Sequence, residues 1–359
     1  MKNFVNLNDL HIGAQRSGGT TPQSALALRK WVLSEHASFI SKKVPKGFSL
    51  FYNGDVLDKF MVPLADIMEL HRDWADFLEG DTGREIHVAR GNHDLSTDTA
   101  KASAFDFLCF SMNAAYPDQF FYYTEPTKIN DKLWVIPHVE NQALFDKALS
   151  DVLAVVEAGS VVMLHANYDN NFALESDHSL NVSLEQAVAF KQKGVTLVFG
   201  HEHPYREVSN AIIPGNQFPT SIADLIQSPV KYYTTLTATV TGYTVNLVEL
   251  YDVRFLLHVV DWRSLHMVDP TLYRFVKVTG SVSAEEAPAA LAAISNFRQA
   301  SDAFVVTNAV QSAQTEELDA FLPTSEEIKS INVLDFLYEQ LNEKEAAVVK
   351  QILTKKDQQ

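Results

Sequence analysis

Five short polar clusters hold the residues able to do chemistry: Asp9-Leu10-His11, Gly54-Asp55-Val56-Leu57-Asp58, Gly91-Asn92-His93-Asp94, His165, and Gly200-His201-Glu202-His203. Their carboxylates, imidazoles and one amide oxygen suit Mn²⁺, Fe or Zn²⁺, and they lack the thiolates that build structural zinc sites. Asp9, His11, Asp55, Asn92, His165, His201 and His203 are enough ligands for two metals. A carboxylate such as Asp55 can bridge two cations about 3.5 Å apart, a pair that clamps a phosphate and lowers the pKa of a water between them. Such chemistry leads to attack on phosphorus. His93 follows Asn92 directly, so a proton donor and a ligand share one turn, which Gly91 is expected to permit. A lone histidine is more often a surface or core residue, and His36, His71, His178, His258 and His266 are assigned that role.

To bring the clusters together, strands must end at one edge. Phe4 to Leu7, Phe48 to Tyr52, Ile86 to Arg90, Val161 to Leu164 and Val195 to Phe199 each run into one cluster. Helical spacing separates the first three: Leu28, Trp31, Val32, Phe39 and Ile40 mark one segment, and Leu64, Ile67, Trp74 and Phe77 the next. This β-α-β order puts the clusters at the carboxyl ends of strands, where open α/β sheets hold ligands. Further helices are expected over 99–113, 142–157 and 182–193, with a hairpin over 231–250. The expected fold class is α/β, a two-layered mixed β-sandwich flanked by helices, with a small α+β capping domain and a C-terminal helical segment. The spacing divides the chain into a main domain at 1–260 that carries all five clusters, a small β-α-β module at 261–310, a linker at 311–323 and a helical segment at 324–359. In the last of these, Ile331, Leu334, Tyr338, Leu341, Val348 and Ile352 form one narrow stripe, the seam form used against another helix.

Of 359 residues, 46% are hydrophobic, ample for a sizeable core. No stretch has the ~18 uninterrupted apolar residues of a membrane span, and Met1-Lys2-Asn3-Phe4-Val5 does not start a signal peptide. A cytoplasmic protein with no membrane partner is expected. The single Cys109 cannot form an internal disulfide and is expected to be buried and inert. A net charge of −16 argues against a chain that grips nucleic acid alone, since phosphate contacts by Lys and Arg supply most non-specific affinity. A DNA substrate would call for a basic partner.

The ordered set DxH, GDxxD, GNHD, a lone His and GHxH resembles the calcineurin-like metallophosphoesterases over about residues 1–250. The resemblance implies one divalent metal on Asp9, His11, Asp55 and His203, and another on Asp55, Asn92, His165 and His201, with Mn²⁺ expected in both. It implies that His93 protonates or steadies the leaving oxygen, with Asp94 as its orienting partner. Protein Ser/Thr phosphatases carry GDxxDRG and GNHE, whereas Lys59-Phe60 follows Asp58 here and Asp94 stands in place of Glu. Asp9-Leu10-His11-Ile12-Gly13, His165-Ala166-Asn167, Gly200-His201-Glu202-His203 and Pro214-Gly215-Asn216 are more similar to the nuclease subunit of SbcC/SbcD-type DNA repair complexes, in its bacteriophage version. The chain departs from many cellular members at Asp58, where they carry a histidine. This closer resemblance implies a DNA exonuclease and endonuclease in recombination, repair or replication, docked through its C-terminal segment to an SMC-type (SbcC-like) ATPase. It also implies a homodimer, for which Phe105, Leu108 and Met112 are the expected stripe. A cyclic-nucleotide phosphodiesterase shares all five clusters, and a non-catalytic scaffold is the alternative that the intact ligands argue against.

Overall fold

A computed structural model of the chain describes residues 1–14, 20–95, 102–170, 179–209 and 211–312. In chain order the first elements are β1 (Asn3–Leu7), α1 (Pro22–Lys43), β2 (Phe48–Asn53), α2 (Leu64–Glu79), β3 (Ile86–Ala89), α3 (Ala104–Ala115) and β4 (Phe120–Tyr123). Then come β5 (Thr127–Asn130), β6 (Leu133–Ile136), α4 (Gln142–Val155), β7 (Val161–His165), β8 (Asn167–Tyr168), β9 (Asn181–Val182), α5 (Leu184–Gln192) and β10 (Thr196–Gly200). The series continues with β11 (Arg206–Val208), β12 (Ala211–Ile213), α6 (Ile222–Gln227), β13 (Val230–Ala238) and β14 (Tyr243–Asp252). After these follow β15 (Leu257–Asp261), β16 (Phe275–Thr279), β17 (Ser281–Val282), α7 (Ala287–Ala300), β18 (Val305–Asn308) and β19 (Gln311–Ser312).

Two six-stranded sheets form a sandwich, in the orders β14-β13-β1-β2-β3-β4 and β11-β12-β10-β7-β6-β5. In the first, β1 to β4 are parallel and β13 joins β1 antiparallel; in the second, β12, β10, β7 and β6 are parallel, with antiparallel β11 and β5 at the edges. Phe4, Phe51 and Leu236 from one sheet meet Val135, Met163 and Val198 from the other in the layer between them. The outer faces carry α1 to α3 on the first sheet and α4 and α5 on the second. Strands covered on both faces read as unbroken apolar runs, which is why Val161 to Leu164 has no polar alternation. The helices start where Thr21, Ser103 and Ser183 accept the N–H three residues on, in reciprocal capping boxes with Ser24, Asp106 and Gln186. This is the mixed two-layered α/β architecture expected from the sequence.

Three differences are physical. The helix expected over 99–113 begins at Ala104, capped by Ser103, and residues 99–101 lie outside the described ones. Phe105, Leu108 and Met112, the expected dimer stripe, are fully buried in the core beneath the first sheet, and the outward face of α3 carries Phe107 and Phe110 instead. Strand β15 was not expected. It pairs parallel with β16, which pairs with β18, and Phe275 and Val305 of this sheet, with Phe304 just before β18, join the core that holds Leu28 and Val32 of α1.

Of a second unit, residues 280–289 and 310–312 are described, and β17 pairs there with β19 where the start of a linker was expected. The expected helical segment at 324–359 lies outside the described residues. Among the described residues, no helix is long and apolar enough to cross a membrane.

Candidate metal centre

All seven candidate ligands and His93 stand at or just beyond the carboxyl ends of five parallel strands. Asp9 and His11 follow β1, Asp55 follows β2, and Asn92 and His93 follow β3; His165 ends β7, and His201 and His203 follow β10. Donor atoms of Asp9, His11 and His203 lie within 4.8 Å of one another, and so do those of Asp55, His165 and His201, and those of His11, Asp55 and His93. His11 Nε2 faces His203 Nε2 at 2.9 Å. The Asn92 Oδ1 lies 3.0 Å from His165 Nε2 and 2.9 Å from His201 Nδ1, while Asp55 Oδ2 is 3.3 Å from His165 Nε2 and 3.9 Å from His11 Nε2. Asp55 thus sits between the two groups.

The backbone is bent to achieve this. Among the described residues five non-glycines have positive φ, and four of them are candidate ligands: Asp9 (54°), His11 (49°), Asp55 (49°) and His201 (87°). Such conformations cost on the order of 1–3 kcal/mol each and persist where the surroundings over-determine them. Here the turns lock one another: Asp9 N–H donates to Gly54 C=O, His11 N–H to Asp55 C=O, and His201 N–H to the Asp9 carboxylate. Gly91 serves by its size and not by a left-handed turn, because a Cβ there would lie 2.1 Å from Asp55 Oδ1.

Oxygen and nitrogen donors surround two fully buried carboxylates, a set that fits divalent cations of the Mn²⁺, Fe or Zn²⁺ kind. Burial pushes the Asp9 carboxyl up. Burial acts to raise Asp55, but the neighbouring His165, together with His11 and His93, holds it well below the usual carboxylate range. Against its own burial, His165 is pushed up to about 9 by Asp55, whereas burial lowers His201 to about 3. The buried negative charge calls for a positive partner, which bound cations would provide.

His93 lies beside the ligands. Its backbone N–H donates to Asp55 Oδ1 (2.9 Å), and its ring Nδ1 is 2.5 Å from the Asp58 carbonyl oxygen. The expected orienting contact from Asp94 is therefore corrected. The Asp94 carboxylate accepts the N–H groups of Leu57 (3.0 Å) and Gly91 (2.9 Å), clamping the GDxxD and GNHD turns together. Burial, together with nearby Asp55, pushes Asp94 up to about 7. The Asp58 carboxylate stands 3.5 Å from His11 Nδ1, on the far side of that ring from His203.

Sequence reasoning missed three supporting residues. Asn8 donates from Nδ2 to Asp9 Oδ2 and to the Gly215 carbonyl. Asn53 donates from Nδ2 to the carbonyls of Leu164 and Val198, and its own carbonyl accepts His165 Nδ1, tying the two sheets at this edge. Asp224 holds His203 Nδ1 at 3.0 Å. Asn8 and Asn53 had a signal in standing next to a cluster, but Asp224 had none. A cleft of about 550 Å³ opens beside His201 and His203, lined also by Asn167, Glu202, Arg206 and Asp224.

The calcineurin-like phosphoesterase family profile matches residues 2–205. No curated protein sequence matches the chain. Among solved structures, an archaeal phosphodiesterase is similar at 12% identity and TM-score 0.31, over 68% of this chain and 99% of its own. A Vps29 variant from Entamoeba histolytica is similar at 13% identity and TM-score 0.28, over 69% and 99%. A cold-active protein-tyrosine phosphatase from a psychrophilic Shewanella species is similar at 13% identity and TM-score 0.31, over 70% and 81%. The profile match takes in more than half of the chain and runs from the first strand through the GHEH cluster, and on that ground the chain belongs to the calcineurin-like phosphoesterases, metal-dependent enzymes that hydrolyse phosphoesters.

Proposed function

We propose that the chain is a two-metal phosphodiesterase that cleaves DNA as the nuclease subunit of a cytoplasmic SMC-type ATPase complex. The observation that carries the two-metal reading is Asp55, whose carboxylate lies between one group containing His11 and another containing His165 and His201. In this reading Asp9, His11, Asp55 and His203 hold one cation, and Asp55, Asn92, His165 and His201 the other. Bound there, two divalent cations, Mn²⁺ in this reading, would supply Lewis acidity toward a phosphodiester and a water. With Nδ1–H given to the Asp58 carbonyl, Nε2 is the nitrogen left to His93 for the leaving oxygen, to which it would hand a proton from the imidazolium form, becoming neutral with its Nδ1–H bond to Asp58 kept. Gly91 and the Asp94 carboxylate hold the turn that carries it.

Support for DNA as the substrate comes from residues past the family match. The Pro214-Gly215-Asn216 stretch, which resembles the one in SbcD-type nucleases, is tied to the centre: Gly215 C=O accepts from Asn8 and Asn216 N–H donates to the His203 carbonyl. Arg206, the one Arg or Lys lining the cleft among the described residues, is already paired with Glu202, so in this reading the ATPase partner supplies much of the grip on DNA. A homodimer is part of this proposal, with its contact moved to the exposed Phe107 and Phe110 of α3 and Leu64 and Met68 of α2. One set of assays tests the function: Mn²⁺-dependent turnover of bis(p-nitrophenyl) phosphate, end-labelled linear duplex DNA and cyclic AMP, with and without the ATPase. Turnover of the small diester and of DNA is expected. Cyclic AMP hydrolysis without DNA cleavage would make the enzyme a cyclic-nucleotide phosphodiesterase, and metal binding with no turnover at all would make it a scaffold.

A further inference from the structure

We infer that Asp224 is a positioning residue for His203 and governs one of the two cation positions selectively, an inference that rests on the two-metal reading proposed above. Asp224 is 3% exposed and its carboxylate faces two ways. Its Oδ1 lies 3.0 Å from His203 Nδ1, while Oδ2 accepts the N–H groups of Thr220 (2.9 Å) and Ser221 (3.0 Å) at the start of α6. The other end of His203 is gripped as well: Asn216 N–H donates to its carbonyl oxygen at 3.0 Å. The buried Lys231 Nζ joins the two grips, donating to Asn216 Oδ1 (2.7 Å) and to the Asp224 carbonyl oxygen (2.9 Å).

This geometry sets the tautomer. With Nδ1–H given to the carboxylate, the Nε2 lone pair points toward His11 Nε2, into the group that includes Asp9. A carboxylate behind a ligating imidazole fixes its orientation and raises its basicity, and losing it typically costs about 10–100-fold in metal affinity. The second group is held by other means. His165 Nδ1 donates to the Asn53 carbonyl, and the His201 ring Nε2 lies 3.3 Å from the Ser179 hydroxyl, so neither ring leans on Asp224. The direct effect of Asp224 therefore falls on the cation that Asp9, His11, Asp55 and His203 would hold, although Asp224 lies 21 residues beyond His203 in the chain.

The test is calorimetric titration of metal-stripped full-length protein with Mn²⁺, with electron paramagnetic resonance reporting paired against isolated ions. Wild type should bind two ions. Asp224→Asn should weaken one by about 10–100-fold, leave the other unchanged, and replace the paired signal by an isolated one at limiting metal. Ser221→Ala removes the hydroxyl that caps the Asp224 N–H but keeps the carboxylate on His203, and should bind both ions as wild type does. In a His203→Asn background Asp224→Asn should add no further loss. If Asp224→Asn fails to fold, Asp224→Glu, which moves the carboxylate by one methylene, should show the same selective loss. Unchanged binding in the Asp224 variant, or equal losses in Ser221→Ala, overturns the inference and leaves the two-metal reading standing. Fewer than two ions on wild type overturns that reading, and the inference with it.

Discussion

The His93 ring gives Nδ1 to the Asp58 carbonyl while its backbone N–H reaches Asp55, so the side chain is placed beside the ligands without having to be one. His93→Asn is expected to lower turnover of a small phosphodiester by a factor on the order of 10², as for the loss of a general acid. Metal content measured by atomic emission should stay at the wild-type level, and loss of a cation would make His93 a ligand instead. Away from the centre, His36 is fully buried against the Tyr52 hydroxyl, and burial lowers its pKa from 6.5 to about 3. The unfolded chain then binds the extra proton, so stability that is complete above pH 6.5 is lost progressively as pH falls toward 3. Between pH 7 and pH 5 the wild type should lose about 2 kcal/mol more than His36→Phe, read from urea midpoints. Equal losses would mean that His36 takes up its proton in the folded state.

Among the elements, α3 is apolar on both faces. Phe105, Leu108, Cys109 and Met112 point inward, and Phe107 and Phe110, 56% and 71% exposed, point outward. Periodicity finds such a helix but does not say which side meets the sheet, and the residues first assigned to a partner proved to be core. Leu108→Ala should therefore destabilise the fold by about 2–5 kcal/mol. Phe107→Glu with Phe110→Glu should leave the melting temperature near wild type and turn a dimer into a monomer in light scattering. A wild-type monomer at micromolar concentration would remove the proposed contact. The five strands that carry the clusters were legible because they are buried on both faces and read as apolar runs. The edge strands β5 and β11 were not, being short and polar, and β15 was hidden behind the end of the hairpin. In the same way the ligands were legible as clusters, while Asp224 acts across a distance in sequence that no local pattern records.

At the scale of the molecule, a formal charge of −16 and a cleft arginine already paired with Glu202 mean that, on the proposed DNA substrate, a partner would have to supply much of the hold. Removing residues from Thr324 onward is expected to leave a folded, metal-loaded enzyme that still hydrolyses a small phosphodiester but no longer co-purifies with the ATPase. Unfolding, or loss of small-substrate turnover, would assign that segment to the catalytic core. The centre itself has a wider consequence. Asp9, His11, Asp55 and Asn92 hang from the first sheet, and His165, His201 and His203 from the second, so each proposed ligand set draws on both. A bound ion is then a crosslink between two leaves of the sandwich, and occupancy and cohesion become one equilibrium. At 100 times its Kd such an ion adds about 2.7 kcal/mol of stability, so chelation should lower the melting temperature and Mn²⁺ should restore it. Identical melting with and without metal would deny the link. Where it holds, metal depletion does more than idle the enzyme: it loosens one edge of the sandwich and exposes the chain to proteolysis, so that the amount of protein follows the supply of metal.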